Sequence, residues 1–250
     1  MPHPHRRGAT VLVGLAAAAL ITVPTRQAAA GPVLQRQVIG YSVQHRPIVA
    51  YHLGNPSLRR VDVVIGQMHG DEHAGVRVVN ALIRGGRISG VNLWVIPTMN
   101  PDGDAAHTRQ NAHHVDLNRN WPVSWTRLTG QYYSGPRPLS EPESRAVRAF
   151  LLRVRPHDIV SLHQPLSGVD TTDGGAVDPA LRRRLERELG LRAKPFRCHS
   201  VCHGGMTRWY TRHHYGVAIT VEFGAHPSAR YLTRGAPRGI VAALGGRRSG

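Results

Sequence analysis

The chain has 250 residues and a formal net charge of +17, with 32 Lys and Arg against 15 acidic residues. So basic a chain favours anionic partners. Its Arg residues are spread along the sequence with no RNA- or DNA-binding motif beside them, so nucleic acid is not expected as a partner.

The N-terminus reads as an export signal. His5-Arg6-Arg7 is positive, residues 9–23 are almost wholly apolar, and Ala28-Ala29-Ala30 supplies small residues before Gly31-Pro32. The apolar run is short for a membrane span. Cleavage near Ala30 is therefore expected, with a retained anchor helix as the alternative, and Arg6-Arg7 leaves the twin-arginine and general export routes open. Residues 1–30 hold three Arg and no acid, so their removal lowers the net charge from +17 to +14. Residues 31–250 are long enough for one domain with a sizeable core. The expected product is a secreted or wall-associated monomer with no stable membrane anchor.

Residues 38–53 hold two β-rich runs around a polar turn, the pattern of a hairpin. Residues 61–66 read as a short buried strand, 73–84 as a helix carrying Val76, Val79, Leu82 and Ile83 at helical spacing, and 91–96 as the next strand. The polar stretch 98–133 is long for a connector, and such loops are usually functional. Pro142 opens a helix to 154. Residues 158–162 read as a strand, 179–189 as a basic exposed helix, 216–221 as a strand and 239–244 as a short helix. Strands alternating with helices predict an α/β fold: a single domain with a mixed, mostly parallel twisted sheet flanked by helices. Cys198 and Cys202 in an exported chain suggest a disulfide closing a small loop, with two free thiols as the alternative.

The chemistry-bearing residues gather at strand ends, where ligands of such sheets collect. His69 and Glu72, three residues apart after the strand at 61–66, can be aimed at one point and are two of the three protein ligands that an open zinc site needs. Asn100-Pro101-Asp102-Gly103 follows a second strand, and His163 and Glu222 end two more. Glu222 has the placement of a general base, because partial burial raises a carboxyl toward working pH. Arg109 and Arg119 lie in the long polar loop, where a guanidinium can clamp a carboxylate or steady a carbonyl oxygen as it becomes negative. His113 and His114 are adjacent and read as a polar loop rather than a ligand pair.

In sequence order the motifs are His69-Gly-Asp-Glu72, Asn100-Pro-Asp-Gly103, Asp116-Leu-Asn-Arg-Asn-Trp-Pro122, Ser161-Leu-His163 and Thr220-Val-Glu222. From about Ile39 to Phe223 the chain resembles the zinc metallocarboxypeptidase family, and its size and Thr108-Arg109-Gln-Asn111 run are similar to the compact bacterial branch that includes murein peptide amidases. The resemblance implies a zinc ion held by His69, Glu72 and His163. It implies that Asn118 and Arg119 hold the substrate's terminal carboxylate, Arg109 steadies the carbonyl oxygen, and Glu222 is general base toward a zinc-activated water. The implied activity is hydrolysis of a peptide bond next to a free carboxylate. Cleavage of γ-D-glutamyl-diaminopimelate, a small-molecule deacylase of related fold, and a non-catalytic basic wall- or polyanion-binding module are the alternatives. His114 stands where the family has Gly, and none of Trp209, Tyr210 and Tyr215 aligns with the tyrosine that closes over the family's substrates.

Overall fold

The computed structural model describes Met1 and residues 33–172, 179–196, 201–213 and 216–249. The expected export signal, apart from Met1, and Cys198 therefore lie outside the described residues; Cys202 is disulfide-bonded.

The chain begins with a hairpin, β1 (Val33–Tyr41) and β2 (Pro47–Gly54), paired antiparallel. Its turn is tied to the rest of the domain by Asp102, whose carboxylate accepts from Ser42 Oγ at 2.8 Å, the Gln44 N–H at 2.9 Å and Arg46 Nη1 at 2.7 Å. The apolar run that follows is β3 (Val61–Ile65), and its last four residues are buried. After the His69 loop comes α1 (His73–Arg84), whose Val78, Val79 and Leu82 face the core. A two-residue β4 (Ile88–Ser89) precedes β5 (Asn92–Ile96), buried throughout.

The long polar stretch is not wholly irregular. It contains α2 (Pro101–Ala106), which a hydrophobic periodicity could not reveal because it has almost no apolar residue. Its start is local chemistry: Pro101 sits at the first turn and Asn100 Oδ1 accepts from the Gly103 N–H at 2.9 Å. Then follow α3 (Pro142–Val154), β6 (Asp158–His163), β7 (Leu166–Asp170), α4 (Pro179–Leu189), β8 (Ala193–Lys194), α5 (Met206–His213), β9 (Val217–Gly224), α6 (Ala236–Ala243) and β10 (Arg247–Arg248). A π-helical turn, Tyr231–Gly235, leads into α6, so the terminal helix starts earlier than its apolar pattern indicates.

Eight strands form one sheet in the order β1-β2-β5-β3-β6-β9-β7-β8. The central run β5-β3-β6-β9 is parallel, while β1/β2, β2/β5 and β7/β9 are antiparallel. A core of Val78, Leu82, Leu185, Ile240 and Val241 from α1, α4 and α6 covers one face. Trp121, Val147, Phe150, Met206 and Trp209 cover the other. Both faces of the parallel strands are thus dry, which is why they read as unbroken apolar runs.

Two close approaches of backbone fix the loop between β3 and α1. A Cβ on Gly70 would sit 1.9 Å from the Gly103 carbonyl carbon, and one on Gly75 would sit 1.7 Å from the Gly66 oxygen. Only hydrogen in place of a side chain lets this loop lie against α2 on one side and its own strand on the other.

Candidate metal centre and its cavity

His69, Glu72 and His163 come together at the carboxyl edge of the sheet, all buried, with one ligand atom from each within 4.8 Å of the others. His163 is the last residue of β6. Glu72 occupies the position just before α1, where a carboxylate ordinarily caps the helix, yet it makes no capping hydrogen bond. Its oxygens instead face His69 Nδ1 at 2.8 Å and His163 Nδ1 at 2.9 Å. The helix end is served by Gln164, whose Oε1 accepts from the Ala74 N–H at 2.8 Å.

The outer nitrogen of each imidazole is also engaged. His69 Nε2 lies 3.2 Å from Asp116 Oδ1 and His163 Nε2 lies 3.0 Å from Ser161 Oγ. Holding the outer nitrogen in this way turns Nδ1 of each ring toward the centre, the usual orientation of metal-bound histidine. Burial disfavours charge on His69, but Glu72 and Asp116 outweigh it, with Arg109 opposing, and the imidazole is raised to about 9. Burial likewise opposes ionisation of Glu72, yet the two imidazoles hold it well below the usual carboxylate range. A site that draws protons this strongly is built around positive charge. Two imidazole nitrogens and a carboxylate are a donor set that fits zinc and leaves a position open.

Glu222 stands on β9 directly beside His163 in the strand register. It is buried, its Oε2 accepts from the Leu166 N–H at 3.2 Å, and burial pushes its carboxyl above the ordinary value against the pull of His163. A carboxyl moved toward neutrality is suited to taking and returning a proton.

Arg109 and Arg119 reach the same place by different means. Arg109 is fixed by Asp116, whose Oδ2 accepts from Nε at 3.0 Å and Nη2 at 2.8 Å, leaving Nη1 3.3 Å from His69 Nδ1. Arg119 is buried without a carboxylate in ion-pair range among the described residues. Its Nη1 donates to the Asn118 carbonyl at 2.8 Å, its Nε has no partner, and burial lowers its pKa. Both guanidinium groups lie over the Tyr132 ring, at 5.3 and 5.4 Å from its centroid. His69, Glu72, Arg109, Asn118, Arg119, His163 and Glu222 all line one cavity of about 310 Å³.

Asp116 is the residue whose role the sequence did not display. Fully buried, it fixes His69, Arg109 and, through the Asn118 N–H at 2.8 Å, the turn that carries Asn118 and Arg119. Its signal was its place at the head of the Asp-Leu-Asn-Arg run. Asn100 is likewise a bracing residue, its Nδ2 donating to the Met68 carbonyl at 3.2 Å and the Arg109 carbonyl at 3.3 Å. His113 pairs with Glu141 at 2.8 Å, away from the cavity lining. His114 adopts φ 59°, a left-handed conformation that glycine enters freely and histidine only occasionally. Tyr210 and Trp209 are buried in the core and do not line the cavity, and Tyr215 lies outside the described residues; the cavity's tyrosine is Tyr132.

A family model described as zinc carboxypeptidase matches residues 25–165. Murein peptide amidase A of Escherichia coli strain K12 is 31% identical over 126 residues, 45% of this chain and 52% of that protein. Its counterpart in Vibrio campbellii is 31% identical over 145 residues, 52% of this chain and 58% of that one. The match thus spans about half the length of these curated relatives. Among solved structures, murein-tripeptide amidase from Escherichia coli O157 superposes with a TM-score of 0.67 at 23% identity, covering 84% of this chain and 91% of that one. Carboxypeptidase A from Helicoverpa armigera superposes with a TM-score of 0.70 at 15% identity, covering 86% and 68%. The chain is similar to these proteins in fold.

Proposed function

This chain belongs to the zinc carboxypeptidase family, and from that premise we propose that it is a zinc-dependent hydrolase of peptide bonds that lie next to a free carboxylate. The observation that carries this reading is the union, in one cavity, of the His69–Glu72–His163 trio, the buried unpaired guanidinium of Arg119, and the Glu222 carboxyl.

In this reading His69, Glu72 and His163 hold the zinc. When bound, zinc supplies Lewis acidity toward the substrate carbonyl and toward water. Arg119 and the side-chain amide of Asn118 hold the terminal carboxylate, which gives the Arg119 fork the anion it lacks in the free chain. Arg109, kept in place by Asp116, donates to the carbonyl oxygen as charge develops there. Glu222 takes the proton of the attacking water and passes it to the leaving nitrogen. The N-terminal pattern of residues 1–30 and the disulfide at Cys202 support export to an oxidising compartment.

Cleavage of a murein peptide rather than an ordinary peptide is the second reading, favoured by the similarity to murein peptide amidase A. Both readings share one test. A chromogenic peptide with a free C-terminal carboxylate is expected to be cleaved, and a chelator to abolish cleavage. Its amidated twin is expected to be a poor substrate, with Arg119→Ala narrowing the gap between the two. Equal cleavage of both peptides by the unaltered enzyme would remove the carboxylate clamp; chelator-resistant cleavage would remove the metal.

A further inference from the structure

Two charged side chains of the cavity take no part in that chemistry. Asp170 ends β7 and is buried. Its Oδ1 accepts from the Thr172 N–H at 2.8 Å, the Thr172 hydroxyl at 2.7 Å and the Phe196 N–H at 3.3 Å. Its Oδ2 has no partner among the described residues. Arg208, on α5, lines the same cavity; its Nη1 donates to the Cys202 carbonyl at 3.1 Å, and no carboxylate among the described residues lies within the 4.0 Å of an ion pair. Asp170 and Arg208 thus face one space of about 310 Å³ without neutralising each other. A carboxylate anchored through one oxygen only, opposite an unpaired guanidinium, is costly in a folded chain unless a ligand brings the complementary charges. The main-chain carboxylate of a substrate is already met by Arg119. The cavity therefore carries one more cation and one more anion than an ordinary C-terminal residue can use.

Resting on the peptidase reading of this site, we infer that Asp170 and Arg208 select a leaving residue whose side chain ends in an ammonium and a carboxylate together, the head group of a diamino diacid such as diaminopimelate. Asp170 Oδ2 accepts from the side-chain ammonium. Arg208 donates to the side-chain carboxylate. A lysine side chain answers only Asp170 and a glutamate side chain only Arg208, so each leaves one of the two charges unmet.

The test uses four peptides that differ only in the terminal residue: diaminopimelate, lysine, glutamate and alanine. The zinc-loaded full chain is expected to cleave the diaminopimelate peptide with kcat/KM about 10-fold or more above the other three, as two charge-assisted hydrogen bonds require. Asp170→Asn keeps an oxygen for Thr172 and Phe196, so the loop is retained. It should lower kcat/KM for the diaminopimelate and lysine peptides about 10- to 100-fold and spare those ending in glutamate and alanine. Arg208→Gln should lower the diaminopimelate and glutamate peptides and spare the other two. In calorimetry, each substitution should also weaken the binding of free diaminopimelate to the Glu222→Gln protein. Equal losses on all four peptides would mark both residues as structural and overturn the inference. Equal cleavage of all four by the unaltered enzyme would overturn it while leaving the peptidase reading intact. Cleavage of none would overturn the peptidase reading and this inference with it.

Discussion

Strands β3 and β6 carry a cluster of histidine and carboxylate groups at each of their two ends, and the clusters are opposites. At the amino end, Asp62 and Asp158 are buried, His157 Nδ1 stands 2.9 Å from Asp158 Oδ1, and these three offer ligand atoms as close together as His69, Glu72 and His163 do. There the chain supplies its own cation: the Arg60 guanidinium donates to Asp62 Oδ1 at 3.3 Å and pairs with Asp158. At the carboxyl end the nearest guanidinium, Arg109, is held by Asp116, and the trio opens on a cavity. Proximity of donors therefore does not make a metal centre; what matters is whether the fold has already provided the positive charge.

The largest effect expected from breaking this contrast is at His163. His163→Ala leaves two ligands, and its zinc affinity should fall by more than the roughly 10- to 100-fold that loss of an outer hydrogen-bonding partner costs. Metal analysis after dialysis decides it, and full zinc retention would remove His163 from the centre. A sharper, smaller effect is expected at Glu222, which lies beside the trio without being needed in it. Glu222→Gln should keep its zinc and its substrate affinity while kcat falls at least about 10²-fold, the lower end of what a general acid–base contributes. Loss of zinc from that protein would make Glu222 a ligand and reopen the assignment of Glu72.

The smallest effect is at the opposite edge and is read in stability rather than activity. Burial raises the Asp62 carboxyl from 3.8 to about 6, outweighing Arg60, while the nearby Asp158 adds to the rise and His157 opposes it. Between about pH 4 and 6 the folded chain thus binds more protons at this position than the unfolded one, so this residue's contribution to stability declines as pH rises through that window. Thermal midpoints of the chain and of Asp62→Asn should be closest near pH 4 and diverge by pH 7, the variant becoming relatively more stable. A constant difference would show that Asp62 titrates normally. Zinc content and turnover should be unaffected by this substitution.

The parallel centre of the fold was legible in the sequence because both of its faces are dry. Residues 61–66, 91–96, 158–162 and 216–221 are apolar runs for that reason, and they correspond to β3, β5, β6 and β9. What escaped lacks such a signature. In β7, Leu166 and Ser167 are exposed and Gly168 has no side chain; α2 rests on the Asn100 cap rather than on an apolar face. The helix α5 buries Met206, Trp209 and Tyr210 among basic neighbours that mask its period. The residues of the cavity could be named because their motifs are short and local. The bracing by Asp116 and the exposure of Asp170 to the cavity could not, since both depend on contacts between segments distant in sequence.

The close approaches at Gly70 and Gly75 divide the site into parts with unequal room to change. The backbone beneath His69 and Glu72 is locked on both sides by atoms that cannot retreat, so even one added methyl group there would displace the imidazole and the carboxylate together. The opposite wall, with Thr172, Thr207 and Arg208, is made of side chains alone. Redesign of this enzyme toward a new leaving residue therefore has to work from the wall, against a floor that admits no revision.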